Sequence, residues 1–172
     1  MSQTTKSTSQ AFDLSVSLAD SLAAKGQPAA FLDGLAKAYR ATAGWDMLTL
    51  MTFNLKTRMA RRIYTTDQAN YPVSTEKPMT DSDFADLVLK RGQVFVANTV
   101  EEFKPHYIDW EKLKGLRLES AINYPAIVGG ETIGTVNLTA AKGFYTPERV
   151  AAGKALMPYA ALGFLLLDRA TL

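Results

Sequence analysis

The sequence predicts an antiparallel α+β domain. Apolar residues at helical spacing occupy both ends of the chain, and short apolar runs separated by turn residues, typical of strands in hairpins, fill the middle. No Gly-x-Gly-x-x-Gly follows a strand, so a dinucleotide-binding parallel sheet is not expected. A chain of 172 residues is long enough for one domain with its own core. We expect residues 1–10 to be a polar tail and residues 11–172 to be that domain.

Two helices are expected to open the domain. Apolar positions within residues 12–23 repeat at helical spacing, and Gly26 ends this first helix. Pro28 suits the start of a second helix, which Gly44 closes.

A hairpin and a third helix follow. Residues 45–53 are dense in Met, Leu, Thr and Phe, as in a strand buried on both faces, and residues 59–66 form its partner. Residues 67–79 contain two prolines and are predicted to be a loop. Thr80 is a suitable N-cap for a helix that Gly92 ends.

The next segment combines a short strand with irregular helical turns. Residues 94–97 are predicted to be the strand. Residues 98–118 are predicted to form two helical turns broken at Pro105, with Asp109 capping the second.

A second hairpin and a long helix complete the predicted order. Residues 120–128 and 132–140 form strands on either side of Gly129-Gly130, which is a two-residue hairpin signal. Thr146-Pro147-Glu148 has the capping, proline and acidic residues that start a helix, and Pro158 is expected to kink that helix.

Composition excludes several classes of function. Nineteen basic and 17 acidic residues give a net charge of +2, which does not indicate a nucleic-acid partner. The absence of cysteine excludes disulfides, thiolate metal sites and cysteine nucleophiles. The polar N-terminus is unlike a signal peptide, and the longest apolar run, Ala160 to Leu167, is too short to span a membrane. We therefore expect a soluble cytoplasmic protein without membrane partners.

The second hairpin carries a family resemblance. Ser120-Ala121-Ile122-Asn123-Tyr124-Pro125 ends in an apolar–Pro pair, and the Gly turn leads into a return strand that contains Ile133-Gly134 and Leu138. With the element order, this pattern resembles the GAF domain family, the small-molecule sensor module of phytochromes and cyclic-nucleotide phosphodiesterases, from about Pro28 to Leu167. The related PAS domains share the architecture, and the extra strand at residues 94–97 favours the GAF family. The resemblance implies an antiparallel sheet with the N- and C-terminal helices packed on one face and a ligand pocket on the other.

Departures from the family pattern narrow the expected activity. Members that reduce free methionine sulfoxide use cysteines, and bilin-binding members attach the chromophore through a thioether; both are excluded here. The Asn-Lys-x-Phe…Asp-Glu signature of cyclic-nucleotide-binding members is also absent. The chain resembles a stand-alone GAF domain.

Polar residues in the second hairpin are candidates for the implied pocket. Strand alternation places Thr135 and Asn137 on one face of the return strand, and Asn123 is alone among apolar neighbours on the preceding strand. We expect these three side chains to bind the ligand. Asn123 could equally serve as a structural hydrogen-bonding residue.

The segments expected to cover this face are rich in aromatic residues, namely Tyr64, Tyr71, Phe103, Tyr107 and Trp110. Apolar walls with a few polar groups are what a small-molecule pocket requires. Tyr107 and Trp110 have polar tips that can serve a ligand, and Tyr64 is a further candidate. Phe103 and Trp110 could instead anchor short helices on the sheet.

The roles of the histidine and of two arginines remain open. His106, the only histidine, lies where members of the resembled family often contact a chromophore or haem, although an exposed loop position is the alternative. The acidic residues near His106 do not have metal-ligand spacing. Alternation sends Arg61 and Arg62 to opposite faces, so one of them could pair with an anionic group; a solvated edge strand is the alternative.

We therefore expect a non-catalytic sensor or signalling module of the kind found in bacterial regulators. It would bind a small molecule of unknown identity and report to a downstream signalling protein, and no particular cofactor or metal is indicated. The alternatives are a dimeric protein-interaction module without a ligand, and a cofactor-free enzyme that uses His106 or a tyrosine as general acid or base. The last helix is apolar nearly all round, which predicts a homodimer through the first and last helices.

Overall fold

The fold begins with two helices, α1 at Gln3–Ala23 and α2 at Ala29–Ala41. The computed structural model describes residues 3–54, 56–74, 76–79 and 83–167. Gly26 and Gly44 follow the two helices with φ of +86° and +76°, a left-handed backbone that glycine adopts without strain. Residues 3–10, expected as a polar tail, continue α1 towards the N-terminus and contain no glycine or proline that would interrupt it.

Within the described residues, six strands form one antiparallel sheet in the order β3-β2-β1-β6-β5-β4. Their bounds are Met47–Asn54 (β1), Met59–Thr65 (β2), Lys77–Pro78 (β3), Phe95–Ala97 (β4), Ser120–Val128 (β5) and Glu131–Ala140 (β6). The predicted strands are confirmed, and the positive φ of both Gly129 and Gly130 confirms the hairpin between β5 and β6. Strand β3 lies in the predicted loop. Its proline is tolerated because an edge strand has no outer neighbour that needs the missing N–H.

Three short helical segments lie on one face of the sheet. Helix α3, Asp83–Ala85, continues as a π-helix over Asp86–Lys90; α4 spans Val100–Phe103 and α5 spans Trp110–Gly115. The two predicted turns around Pro105 are confirmed as α4 and α5. Asp109 is the N-cap residue of α5, but its side chain makes no capping hydrogen bond. The expected N-cap Thr80 lies outside the described residues.

The C-terminal helix is broken, as predicted, near Pro158. Helix α6 spans Pro147–Lys154 and α7 spans Met157–Leu167, with a bend of 45° between them. Thr146 caps α6 by accepting a hydrogen bond from the N–H of Arg149 at 3.4 Å. In the described part of the chain, no single helix has the length and apolar character needed to cross a membrane, whereas the bent pair α6–α7 meets those two criteria together.

Strand alternation produces two separate cores. Towards the terminal helices, Leu48, Ile122 and Leu138 pack with Phe31 and Tyr39 of α2. On the other face, a smaller core joins the sheet to the segments around α3, α4 and α5; it includes Val88, Phe95, Phe103, Leu113 and Ala121. The predicted fold class is confirmed: a GAF-like antiparallel sheet with terminal helices on one face and a covered cavity on the other.

Candidate functional site

A row of polar side chains crosses the sheet on the face opposite the terminal helices. The strand register pairs Thr49 of β1 with Asn137 of β6, and Asn137 with Asn123 of β5. Since successive side chains alternate between faces, the flanking residues Leu48 and Leu138 enter the other core. The three polar residues therefore lie side by side on one surface.

Hydrogen bonds join this row to the segment that covers it. The Tyr107 hydroxyl donates to Asn123 Oδ1 at 2.5 Å, and Asn123 Nδ2 donates to Asn137 Oδ1 at 2.6 Å. Asn137 Nδ2 then donates to Thr49 Oγ1 at 3.3 Å. We call these four residues the polar ladder. The second N–H of each asparagine amide and the Thr49 hydroxyl proton take no part in it, so they remain as donors.

The polar ladder forms the floor of a cavity of about 460 Å³ beneath the covering segments. That volume lies within the range of about 300–1,000 Å³ common for ligand pockets. The apolar part of the wall is made by Met47, Met51, Phe53, Phe84, Ala85, Ile108 and Leu113. An apolar wall above a few convergent donors is an arrangement that can hold a small, partly polar molecule.

One end of the cavity is charged. The Arg62 guanidinium lies 5.1 Å from the centre of the Tyr71 ring, and its Nη1 donates to the Pro72 carbonyl at 3.0 Å. The Lys112 ammonium lies 4.6 Å from the centre of the same ring, and Asp109 also lines the cavity. Burial lowers the pKa of Arg62, although Asp109 opposes this change.

The two tyrosines of the cavity are held in their neutral form. Burial raises the pKa of Tyr107, only partly offset by its hydrogen bond to Asn123. Burial also raises the pKa of Tyr71, and the nearby Asp109 carboxylate raises it further. The Tyr71 hydroxyl nevertheless makes no hydrogen bond of normal geometry. Both hydroxyls therefore keep a proton to donate near neutral pH.

The structure brings four of the seven predicted site residues to this cavity: Asn123, Asn137, Tyr107 and His106. The His106 ring lies edge-on to Phe95, with ring centres 5.2 Å apart. Asn123 is only 3% exposed, and its hydrogen bonds make it a structural residue as well as part of the cavity floor.

Thr135 and Trp110 lie near the cavity but do not line it. Thr135 is on the expected face, yet it is 1% exposed and paired between Met51 and Pro125. Trp110 starts α5 and packs against the smaller core, which fits the anchoring alternative.

The expectation that Tyr64 covers this face is corrected by the structure. Tyr64 pairs with Leu50, which points to the terminal helices, and its hydroxyl donates to Asp33 Oδ1 of α2 at 2.8 Å. An irregularity in the register between Leu50 and Met51 leaves Ile63 as an extra residue in β2. This bulge reverses the alternation beyond Arg62 and moves Tyr64 to the opposite face.

Arg61 and Arg62 do lie on opposite faces, as predicted. Arg62 lines the cavity, whereas Arg61 lines a groove of about 630 Å³ between α2, α7 and the first hairpin. That groove is larger, and its polar side chains are Thr52, Arg61 and Tyr64, of which the Tyr64 hydroxyl is already bonded to Asp33. The convergent donors therefore favour the cavity over the groove as the functional site.

Sequence reasoning missed Thr49 and Asp109 as cavity residues, and it named Tyr71 only among the aromatic residues of the covering segments. Thr49 could have been considered from the sequence, since an antiparallel pairing of β1 with β6 places a residue of β1 beside Asn137. Tyr71 lies in the irregular segment 67–74, where its N–H donates to the Asp67 carbonyl and no periodicity indicates a direction. In the part of the chain that the structure describes, no cluster of three acidic or histidine side chains could hold a metal ion.

Comparison with known proteins defines the fold class. No protein-family model matches the sequence, and no curated protein matches it. Among solved structures, the GAF domain of a two-component sensor histidine kinase from Bacillus halodurans is similar, with a TM-score of 0.66 and 10% identity over 82% of this chain and 95% of that chain. A GAF domain/HD domain protein from Geobacter sulfurreducens is also similar, with a TM-score of 0.63 and 13% identity over 81% of this chain and 91% of that chain.

A third similar structure is the chromophore-binding domain of a bacteriophytochrome from R. palustris. Its TM-score is 0.69, with 12% identity over all of this chain and 64% of that one. These likenesses define a GAF-like fold.

Proposed function

We propose that this chain belongs to the GAF domain family and is a sensory signalling module that binds a small molecule without transforming it. The single observation that supports the proposal most strongly is the polar ladder on the floor of the cavity of about 460 Å³. Asn123 and Asn137 both line the cavity, and each has one amide N–H that the ladder does not use. These N–H groups are available to donate to a ligand.

Binding rather than catalysis is favoured by the tyrosines and by the polar ladder of the cavity. Burial raises the pKa of both Tyr71 and Tyr107, so neither exchanges a proton readily near neutral pH. The two asparagines and Thr49 offer hydrogen bonds but no proton-transfer chemistry.

A route from the cavity to the terminal helices runs through β5. Asn123 faces the cavity, and its neighbour Tyr124 points to the other side, where its hydroxyl donates to the Val150 carbonyl of α6 at 3.0 Å. A ligand that shifts β5 at Asn123 therefore also displaces the contact with α6. We propose that the terminal helices pass this change to a partner protein.

The test is native against denaturing mass spectrometry of the freshly purified protein and two variants. In Asn123→Ala the cavity loses an amide, whereas Asn54→Ala removes an exposed amide at the far end of β1 and serves as the matched control. We expect an additional mass in the native spectra of the parent protein and N54A, and its loss in N123A.

Retention of the additional mass in N123A would place the ligand elsewhere. An unliganded native mass, combined with no thermal stabilisation by any compound in a metabolite screen, would replace this proposal with an interaction module that has no ligand.

A further inference from the structure

We propose that the ligand of this cavity is a small organic monocarboxylate, and that Arg62 and Tyr71 hold its carboxylate group. This inference rests on the proposed binding function and names the chemical class that the cavity selects.

Two buried donors without partners lie at one end of the cavity. Among the described residues, five buried side-chain polar atoms lack a hydrogen-bond partner: Gln27 Oε1, Tyr39 Oη, Arg62 Nε, Tyr71 Oη and Tyr145 Oη. Only Arg62 and Tyr71 of these five line the cavity, and they are stacked on each other. Tyr71 is only 5% exposed, so water does not readily replace the missing partner.

The missing partner must be an acceptor. The Nε–H of Arg62 can only donate, and the Tyr71 hydroxyl keeps its proton because burial and the nearby Asp109 carboxylate raise its pKa. Asp109 interacts with this hydroxyl but forms no hydrogen bond of normal geometry with it, so the hydroxyl can still donate to a ligand. A carboxylate can accept one hydrogen bond at each oxygen, which matches one guanidinium N–H and one hydroxyl.

The local charges limit the charge that a ligand can carry. Arg62 and Asp109 line the cavity and carry opposite charges, whereas Lys112, beside the Tyr71 ring, and Asp67, which interacts with Lys112, do not line it. Asp109 repels the single charge of a carboxylate less than the double charge of a phosphate, which favours the carboxylate.

The other residues that line the cavity indicate the chemical character of the rest of the ligand. Arg62 is in β2 and Asn137 is in β6, with β1 between them, so their strands are roughly 10 Å apart. Met51 is paired with Arg62 across β1 and β2, and it lines the cavity between Arg62 and the polar ladder. The ligand therefore has an apolar body and, at its far end, an acceptor for the free amide N–H groups.

Matched pairs of probes test the inference, since each carboxylate can be compared with its neutral primary amide. The pairs are benzoate and benzamide, phenylacetate and phenylacetamide, and hexanoate and hexanamide, measured by thermal shift and calorimetry. We expect at least one carboxylate to raise the melting temperature and its amide to have no effect. Arg62→Gln and Tyr71→Phe should each weaken that binding by about tenfold or more.

Arg61→Gln is the matched control, because Arg61 is adjacent to Arg62 but lines the groove on the other face of the sheet. The R61Q variant should bind the carboxylate with the same affinity as the parent protein. Tyr71→Phe should fold normally, since it removes a hydroxyl without a partner. Equal binding of amide and carboxylate, unchanged affinity in R62Q, or no stabilisation by any of the carboxylates would each overturn the monocarboxylate assignment. The native mass measurement on N123A decides the binding function separately.

Discussion

Asn123 of β5 and Asn137 of β6 lie directly opposite each other, and Asn123 Nδ2 donates to Asn137 Oδ1 at 2.6 Å. Asn123 Oδ1 accepts from the Tyr107 hydroxyl, so the Asn123 nitrogen faces Asn137. Asn137 has its oxygen towards β5 and its nitrogen towards Thr49. The two amides therefore adopt matching orientations, and one chain of hydrogen bonds joins the covering segment to β5, β6 and β1.

Tyr107→Phe should lower the free energy of unfolding by about 1–3 kcal/mol, because Asn123 Oδ1 loses its donor in a buried setting. Urea denaturation measures the change. Tyr159→Phe is the matched control: its hydroxyl donates to Ser15 Oγ at an exposed position, so a loss below about 1 kcal/mol is expected. Equal losses in the two variants would show that the bond to Asn123 has no special role.

Tyr107→Phe and Asn137→Ala should not be additive. Both substitutions remove a hydrogen-bond partner of Asn123. The second substitution should therefore lower the free energy of unfolding by less when the first is already present. We expect a coupling free energy of about 0.5–3 kcal/mol from a double-mutant cycle of denaturation measurements. Additive effects within error would mean that the four residues do not act as one network.

Gly134→Ala should destabilise the contact between β6 and α7. A Cβ at this position would lie 2.5–2.7 Å from atoms of the Phe164 ring, so the ring must move. We expect a loss of about 1–3 kcal/mol in the free energy of unfolding. Gly115→Ala is the control, because nothing lies within 4 Å of its Cβ and alanine favours the helix by up to about 1 kcal/mol. If G134A proved as stable as G115A, α7 would not be packed against Gly134.

Stability should fall in alkaline solution. Burial raises the pKa of Tyr39, Tyr107 and Tyr145 above the value of about 10 in the unfolded chain. The folded state therefore holds these protons more tightly than the unfolded chain does. Their contribution to the free energy of unfolding is complete below about pH 10. It is lost as the pH rises further, by up to about 1.4 kcal/mol per pH unit for each tyrosine. Denaturation midpoints and tyrosinate absorbance measured together test this expectation. Complete ionisation of the tyrosines near pH 10 without loss of stability would contradict it.

The homodimer through α1 and α7 stays a prediction. Phe12 and Val16 of α1 and Leu165 of α7 are exposed apolar side chains, which a second copy would cover. Phe12→Glu with Val16→Glu should convert a dimer into a monomer in analytical ultracentrifugation. Ile108→Glu, at an equally apolar but 96% exposed position beside the cavity, should leave the dimer intact. A monomeric parent protein at micromolar concentration would remove the prediction.

Local patterns were sufficient for most of the fold. Glycines with positive φ at the ends of α1 and in the β5–β6 turn follow from backbone sterics, and Thr146 with Pro147 marks the start of α6. The helical segment at residues 83–90 was predicted, but its conversion to a π-helix was not, because that depends on how the segment packs.

The sequence by itself determined that Thr135 and Asn137 share a face of β6, because alternation along a strand is a local property. That Asn123 of β5 lies on the same face was decided in the folded protein, where the β5–β6 register shifts by one residue between Ala126 and Ile127. The position of Tyr64 was decided only in the folded protein, since a bulge opposite Leu50 reverses the alternation of β2. The cavity end formed by Arg62, Tyr71 and Asp109 likewise required the tertiary structure. It joins a strand, an irregular segment and a helix N-terminus that are distant in sequence, and no periodic pattern encodes such a meeting.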